Sequence, residues 1–199
     1  MERRVKPMDM YQLFSDFNCP FCYALHERLH SLDLMAQIQW QGVQHAPHLP
    51  VPMTIWAGHL RSELQQEVEM VRRLAPELPI IVPKGKPNTG RAIAMAAHAL
   101  HMDRLRGIQF VRAVYRLFWC DGQDLSDQAL LREEAIRHGF APDALVEVSA
   151  SPVARLLKAW GDQWEQTEHQ GVPLLQRPDG RLLVGLVSME SLHTFLAGK

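Results

Sequence analysis

Two of the three cysteines in the chain stand three positions apart, in the motif Cys19-Pro20-Phe21-Cys22. Thiols at this spacing, where a strand passes into a helix, can close a small disulfide with little movement of the backbone. The first thiol would face the free N–H groups and the positive end of the helix, which stabilise a thiolate and lower its pKa. The motif therefore predicts a redox centre in which Cys19 is the attacking thiolate and Cys22 is the resolving thiol.

The two residues between the cysteines carry no charge. Pro20 suits the first turn of a helix, and Phe21 offers an apolar surface beside the attacking sulfur. We predict that both residues contribute to substrate binding. Because neither of them can stabilise a thiolate by charge, we expect the helix end to do most of the lowering of the Cys19 pKa.

A metal site and a buried structural pair are the alternatives for the same cysteines. Cys22, His26 and His30 are spaced four apart and share one helix face, with Cys19 nearby. A tetrahedral zinc site needs four converging ligands, but eight positions of a helix span about 12 Å, which is too far for one ion. We therefore predict no metal site, and surface or hydrogen-bonded positions for both histidines. The structural pair stays open, because free cysteines pack as small apolar residues.

The residues around the motif have the pattern of a β-α-β unit. Apolar positions over 8–17 predict a strand, those over 21–32 follow helical spacing, and 38–46 predict a second strand. Because two consecutive strands joined by a helix are parallel in such a unit, the motif is expected at the carboxyl end of the first strand.

A long helical stretch follows, from about 56 to 149, with four apolar stripes at helical spacing. We expect Ser126 to cap the last of these helices and Gly139 to end it. A helix from Ser151, a hairpin of strands 171–176 and 181–186, and a final helix opened by Ser188 complete the pattern. The order predicts an α/β domain formed by residues 8–55 and 152–199, with an all-helical insertion at 56–151.

Composition limits the classes of partner and location. The 199 residues can bury one sizeable core, and a formal net charge of −1 gives no reason to expect a nucleic acid or an anionic membrane as partner. No apolar run approaches the roughly 18 residues that a membrane span needs, and the N-terminal residues lack the apolar stretch of a signal peptide. Three cysteines are also too few for a structural disulfide framework. We therefore expect a cytoplasmic protein.

The segment "FSDFNCPFCY", the helical insertion and the late "GVP" at 171–173 together resemble the DsbA-like branch of the thioredoxin superfamily, and most of all its cytoplasmic FrnE-like members. Kappa-class glutathione transferases and hydroxychromene-carboxylate isomerases share this layout. The segments "PNTGRAIAMAAHAL" (87–100) and "GQDLSDQALL" (122–131) also look like recurring parts of the group's helical block. The resemblance implies a thioredoxin-like fold with a large all-helical insertion in the middle of the domain.

The resemblance also implies roles for residues far from the motif. Pro173 would be a cis-proline that packs against the active-site sulfurs, and Val172 would present its backbone to an extended substrate beside Cys19. Many oxidoreductases of the superfamily carry a buried acid in the first strand, next to the redox pair. This chain has Leu13 at that place, and the nearest acid is Asp16.

We therefore predict a DsbA-like protein disulfide oxidoreductase that acts on a thiol or disulfide, in a protein or in a small molecule. We expect no bound cofactor, and glutathione is a candidate redox partner. The alternatives are a glutathione-dependent isomerase or transferase on the same fold and a non-catalytic binding module. The intact pair of Cys19 and Cys22 argues against the isomerase or transferase, because that chemistry has no use for a resolving cysteine.

Other polar and aromatic residues have structural interpretations. Cys120 has no cysteine neighbour and is expected to be structural. His45 and His48 flank prolines in a loop, where histidines are common. Asn88 and Thr89 are expected to cap a helix. Core or interface positions are expected for Trp119, Trp160 and Trp164.

Overall fold

The computed structural model describes residues 10–145 and 151–198. Residues 8–9 of the predicted first strand and residues 146–150 of the predicted insertion lie outside the described residues. Within the described part, one four-stranded sheet has the order β2-β1-β3-β4. Its strands are β1 Tyr11–Ser15, β2 Ile38–Gly42, β3 Leu174–Gln176 and β4 Leu182–Val184.

The central strand β1 joins the two ends of the chain. It pairs in parallel with β2, so that Leu13 lies opposite Trp40. On its other side it pairs antiparallel with β3, where Leu13 lies opposite Leu175, and β4 returns antiparallel to β3. The early β-α-β unit and the late hairpin therefore form one sheet, as the sequence predicted.

Seven α-helices surround this sheet in the described part of the chain. Their bounds are α1 Pro20–Ser31, α2 Gly58–Leu74, α3 Gly90–Met102, α4 Arg104–Trp119, α5 Gln128–Arg137, α6 Ser151–Gln166 and α7 Met189–Leu196. Helix α1 packs against α2 and α4, whereas α3 and α6 pack against β2. Four consecutive helices, α2 to α5, thus lie along the sequence between the early strands β1 and β2 and the late strands β3 and β4. The boundaries placed at 55/56 and 151/152 stay a prediction. No described helix is both long and apolar enough to cross a bilayer.

The ends of several elements differ from the prediction. The first strand ends at Ser15 and the second at Gly42, because the chain after each strand turns towards the other. Helix α5 is capped by Asp127, not Ser126: the Asp127 carboxylate accepts hydrogen bonds from two N–H groups of the first turn, while the Ser126 hydroxyl donates to Asp124. Gly139 ends α5 as predicted, with a positive φ of 78°.

Buried aromatic residues connect the helical block to the loop before the motif. Phe17 is fully buried between the rings of Trp40 and Tyr115. The indole N–H of Trp119 donates to the carbonyl oxygen of Phe17 at 2.8 Å. Trp119 and Trp160 are buried, as predicted, and Trp164 is half-buried against Phe14. Helix α4 therefore fixes the backbone that leads into Cys19.

Candidate active site

The motif lies at the start of α1, where β1 ends. Cys19 is the residue that precedes the helix, with an extended backbone (φ −100°, ψ 120°), and Pro20 is the first helical residue. Both cysteines are free thiols. Cys19 is 7% exposed and Cys22 is fully buried. The second sulfur is therefore the less accessible of the two, which suits the resolving position.

The two thiols have opposite electrostatic surroundings. The pKa of Cys19 is lowered, chiefly because the Cys22 side chain donates a hydrogen bond to it; burial opposes this, and the backbone N–H of Cys22 and the charges of Lys86 and His45 add to the lowering. The pKa of Cys22 is raised well above its ordinary value, first by burial and then by Cys19. The expectation that the helix end dominates was wrong, because the partner thiol makes the largest contribution.

The late hairpin brings a second segment to the motif. The Val172–Pro173 peptide bond is cis, and the Cys19 thiol donates to the carbonyl oxygen of Val172 at 3.5 Å. Pro173 is buried and Val172 is half-buried. Of the two residues inside the motif, Pro20 is buried and Phe21 is partly exposed, so Phe21 has the larger surface for a partner.

Hydroxyl groups, not an acid, lie on the buried side of the pair. Leu13 is fully buried. The Ser15 hydroxyl lies 2.6 Å from the Tyr115 hydroxyl, which also accepts from the indole N–H of Trp40 at 3.3 Å. Ser15 lowers the pKa of Cys22 by hydrogen bonding, and the Asp16 backbone N–H donates to Cys22 Sγ at 3.4 Å. Sequence analysis missed Ser15 and Tyr115, since no local pattern connects residues that far apart.

An ion pair stands beside the motif. The Asp16 carboxylate is fully buried, and its Oδ2 accepts from the His45 backbone N–H at 3.0 Å and contacts His45 Nδ1 at 2.7 Å. This hydrogen bond raises the pKa of His45, although burial opposes the shift. Sequence analysis treated His45 as an ordinary loop histidine like His48, which is exposed. The available signal was that Asp16 and His45 each follow one of two adjacent parallel strands, whose carboxyl ends lie at the same edge of the sheet.

A cleft of about 700 Å³ opens beside His45. It lies between the loop that follows β2 and the end of α6, which leads towards Val172. Two carboxylates, Glu165 and Glu168, stand on the α6 side. The other polar and aromatic residues in its lining are Gln44, His45, Trp164, His169 and Gln170. The cleft is large enough for a small peptide or a tripeptide-sized thiol.

Of the two histidines on α1, His30 is half-buried, whereas His26 is not where the sequence suggested. His26 is fully buried against Tyr115, and neither of its ring nitrogens has a hydrogen-bond partner within the described chain. The prediction of a surface or hydrogen-bonded position was wrong for His26, because α4 covers this face of the helix. Burial lowers its pKa well below the ordinary value and lowers that of His30 to about 4.

Among residues 10–145 and 151–198, no three histidine, cysteine or acidic side chains converge to hold a metal ion.

Three other residues were predicted to have structural roles: Cys120, Asn88 and Thr89. Cys120 is half-buried, with its Sγ 3.4 Å from the Tyr23 hydroxyl. Asn88 lies one residue before the N-cap position of α3; its Oδ1 accepts from the Gly90 backbone N–H, the first of the helix, at 3.1 Å, and its amide donates to the Leu49 carbonyl oxygen. Thr89 precedes the helix, but its side chain makes no capping bond.

The family model of the DSBA-like thioredoxin domain matches residues 12–197. The chain belongs to this DSBA-like family. No curated protein has a significant sequence match to it. The match covers the sheet, the helical block and both segments of the candidate site, and it confirms the predicted thioredoxin-like fold.

Solved structures share the fold of this DSBA-like chain at low sequence identity. A probable DsbA oxidoreductase from Streptomyces coelicolor superimposes with a TM-score of 0.77 at 17% identity, over 95% of this chain and 88% of its own. A 2-hydroxychromene-2-carboxylate isomerase superimposes with a TM-score of 0.73 at 16% sequence identity, over 94% of each chain. The cytosolic disulfide reductase DsbM from Pseudomonas aeruginosa, solved with GSH, superimposes with a TM-score of 0.71 at 15% sequence identity. The superposition covers 95% of this chain and 98% of the reductase. The DSBA-like family model and the close cysteine pair support a thiol–disulfide enzyme in general terms.

Proposed function

We propose that this DSBA-like protein is a thiol–disulfide oxidoreductase in which Cys19 attacks and Cys22 resolves. The observation that carries the proposal is the asymmetry of the pair. Cys19 is at the start of α1, contacts the Val172 carbonyl group and has a lowered pKa. Cys22 is buried, and its pKa is raised. Cys19 is thus the thiol that ionises first, and Cys22 keeps its proton for the second step.

The reaction follows from this arrangement. The Cys19 thiolate attacks one sulfur of a substrate disulfide, so that a mixed disulfide forms and a thiolate leaves. Cys22 then loses its proton and attacks Cys19 Sγ, which closes the Cys19–Cys22 disulfide and releases the second substrate thiol. Once Cys19 is ionised it no longer donates to Val172, so the Val172 carbonyl oxygen is available to accept from a substrate N–H group. Phe21 and Pro173 form the apolar surroundings of the exchanging sulfurs.

Glutathione is the redox partner that we favour, and the cytoplasm the location. The cleft beside His45 suits a tripeptide in size, and the similar DsbM reductase is described as cytosolic and was solved with GSH. In a reducing compartment, the pair would be kept as thiols and would act as a reductase. The substrate would be a protein or small-molecule disulfide.

A glutathione-dependent isomerase is the second candidate, because an isomerase with a TM-score of 0.73 shares the fold. Such an enzyme needs one group to activate glutathione and does not cycle a disulfide. A buried second thiol that donates its hydrogen bond to the first has no role in that chemistry. The pair therefore favours the oxidoreductase.

A redox titration of the purified protein in glutathione buffers tests the proposal. Samples are quenched with a thiol-blocking reagent, and the cysteines are identified by intact and peptide mass. We expect a Cys19–Cys22 disulfide that forms reversibly, loss of exchange in Cys19→Ser, and trapped mixed disulfides in Cys22→Ser. Cys120→Ser is the matched control and should titrate like the unmodified protein. A pair that never closes, or a stable single glutathione on Cys19, would favour the isomerase.

A further inference from the structure

The reaction proposed above needs a source of protons next to the leaving sulfur. Reduction of one disulfide yields two thiols and so consumes two protons. Cys22 carries one of them, because its thiol is protonated. Cys19 reacts as a thiolate and brings none. The other proton has to come from a different group at the site, and Leu13 occupies the place at which many related enzymes carry an acid.

His45 and Asp16 are placed to supply it. Asp16 directly follows β1, and its backbone N–H already contacts Cys22 Sγ. Its carboxylate is fully buried; Oδ2 holds His45, and Oδ1 has no hydrogen-bond partner in the described chain. A buried carboxylate with so few partners is stabilised by a cationic neighbour. The pairing thus favours the protonated form of the His45 ring.

The orientation of the ring leaves one nitrogen for chemistry. Nδ1 is bonded to the Asp16 carboxylate, so Nε2 is the nitrogen that can exchange a proton. The His45 side chain is 35% exposed and lines the cleft between the loop after β2 and the end of α6. A histidine oriented by a buried acid, with its second nitrogen free, is a common form of general acid and base.

We propose that His45 is a general acid–base catalyst that protonates the leaving sulfur, and that Asp16 is the positioning residue that holds it. The inference rests on the proposed oxidoreductase function. In the reduced protein, the charged forms of Cys19 and His45 favour each other, because His45 lowers the pKa of Cys19 and Cys19 raises the pKa of His45. Attack by Cys19 forms its bond to one substrate sulfur and breaks the substrate disulfide, and the leaving thiolate takes the proton from His45 Nε2.

In the second step His45 takes up a proton and passes it on, so it ends neutral; it regains its own proton when two glutathione thiols reduce the Cys19–Cys22 disulfide and release two protons, the other of which returns to Cys22. Neutral His45 accepts the proton of Cys22. Cys22 attacks Cys19 Sγ, the mixed disulfide breaks, and the second leaving thiolate takes that proton from His45. The two thiols of the protein are oxidised, the substrate disulfide is reduced, and both protons are accounted for.

The other charged groups around His45 are less suited to this role. Lys86, which lowers the pKa of both Cys19 and His45, has its ammonium group engaged in an ion pair, 2.6 Å from the Glu67 carboxylate. Glu165, Glu168 and His169 line the cleft from the end of α6, but neither Cys19 nor His45 owes its shifted pKa to them. Asp16, Cys19 and Lys86 are therefore the groups that set the charge of His45.

Two disulfide probes separate acid catalysis from a structural role. Bis(2-hydroxyethyl) disulfide has an alkyl leaving thiolate, which is basic and needs a proton. An aromatic disulfide such as 5,5′-dithiobis(2-nitrobenzoate) has a weakly basic leaving thiolate, which needs none. Single-turnover rates are measured for His45→Gln, with His48→Gln as the matched control from the same loop. Each rate is divided by the Cys19 thiolate fraction, taken from the ultraviolet absorbance of the thiolate at the same pH.

We expect His45→Gln to slow the alkyl disulfide about 100-fold and the aromatic disulfide by less than about threefold, with His48→Gln unchanged for both. Asp16→Asn should show the same selectivity with a smaller loss and should lower the upper pKa of the pH–rate profile. Equal effects of His45→Gln on the two probes, or no effect on either, would overturn the inference while the proposed function stands. An unmodified protein that reacts with neither probe would overturn both.

Discussion

The Ser15 and Tyr115 hydroxyl oxygens lie 2.6 Å apart, although 100 positions separate the two residues in the chain. Ser15 ends β1 and Tyr115 lies in α4, so this contact joins the sheet to the helical block next to Cys22. Burial raises the pKa of Tyr115 well above its ordinary value, which keeps its hydroxyl protonated. The pair is a neutral hydrogen-bonding group that can respond to the charge on Cys22 without becoming charged itself.

Removal of the Ser15 hydroxyl should slow the resolving step. Ser15 lowers the pKa of Cys22, so Ser15→Ala makes the Cys22 thiolate harder to form. A hydrogen bond of about 1 kcal/mol corresponds to roughly a fivefold slower release of the mixed disulfide at neutral pH. Quenched-flow mass spectrometry of the Cys19 adduct measures this rate. Ser31→Ala, at the other end of α1, is the control; equal rates in Ser15→Ala and the unmodified protein would contradict the prediction.

Removal of the Tyr115 hydroxyl should cost stability. In Tyr115→Phe, the buried indole N–H of Trp40 and the Ser15 hydroxyl both lose a partner. We expect the free energy of unfolding to fall by about 1–3 kcal/mol, as for other buried polar groups left without a hydrogen bond. Urea denaturation measures it. Tyr11→Phe, which removes a half-buried hydroxyl bonded to the Leu196 carbonyl oxygen away from the cysteines, should cost less and leave thiol exchange unchanged.

The ion pair between α1 and α4 should matter more than the surface pairs. Arg112 donates two hydrogen bonds to the Glu27 carboxylate, at 2.8 and 2.9 Å, and Glu27 is 5% exposed. Arg112→Met leaves this buried charge with Arg116 alone, at 3.6 Å. Since Arg112 is partly exposed, we expect a loss of about 2–3 kcal/mol, below the full range for breaking buried pairs. Lys158→Met, on an exposed pair, should leave the urea midpoint unchanged; equal midpoints for both variants would refute the difference.

His26 and His30 should make the protein less stable in mild acid. Both have folded-state pKa values below the ordinary value, with His30 at about 4. As the pH falls through about 6.5, the unfolded chain binds protons that the folded protein does not, so stability decreases from there towards pH 4. His26→Phe removes one such group and also two nitrogens without partners. The slope of unfolding free energy against pH measures the difference in protons bound by the unfolded and folded states. In His26→Phe this difference should fall by up to about one proton.

Thermal unfolding of the His26→Phe protein between pH 4 and 7 provides the measurement. His101→Gln, an exposed histidine on α3, is the control and should keep the slope of the unmodified protein. His45 acts in the opposite sense, because its raised pKa stabilises the protein at low pH and the benefit is lost as the pH rises. The comparison between variants removes this contribution. A slope that is the same in all three proteins would disprove the assignment.

Local patterns were sufficient to predict that Cys19 and Cys22 lie close together at the start of a helix, and to predict most of the elements. Cys19 and Cys22 are defined by spacing, and the helices by periodic apolar residues whose burial is a property of each segment. The cap of α5 was assigned to Ser126 and not Asp127. Serine and aspartate are both favoured as helix caps, so the sequence alone does not show at which of the two adjacent residues the first turn starts. His26 was misplaced because the residue that covers it, Tyr115, belongs to another helix.

The electrostatic surroundings of the pair depend on contacts that sequence spacing does not reveal. Asp16 and His45 are 29 positions apart. They meet because β1 and β2 are parallel, so that the segments after the two strands leave the sheet at the same edge. The parallel arrangement was predicted from the β-α-β pattern, but the turn that brings His45 back to Asp16 was not. Ser15 and Tyr115 needed the packing of α4, which no pattern specifies.

The contact between Cys19 and Val172 spans 153 positions of the chain. During synthesis on the ribosome, Cys19 and Cys22 emerge early, whereas Val172 and the strands β3 and β4 emerge after nearly all of the helical block. Until then β1 lacks its antiparallel neighbour, and the two thiols belong to a nascent chain without a completed sheet. Translation must therefore pass the late hairpin before the sheet can be completed and the contact between Cys19 and Val172 can form.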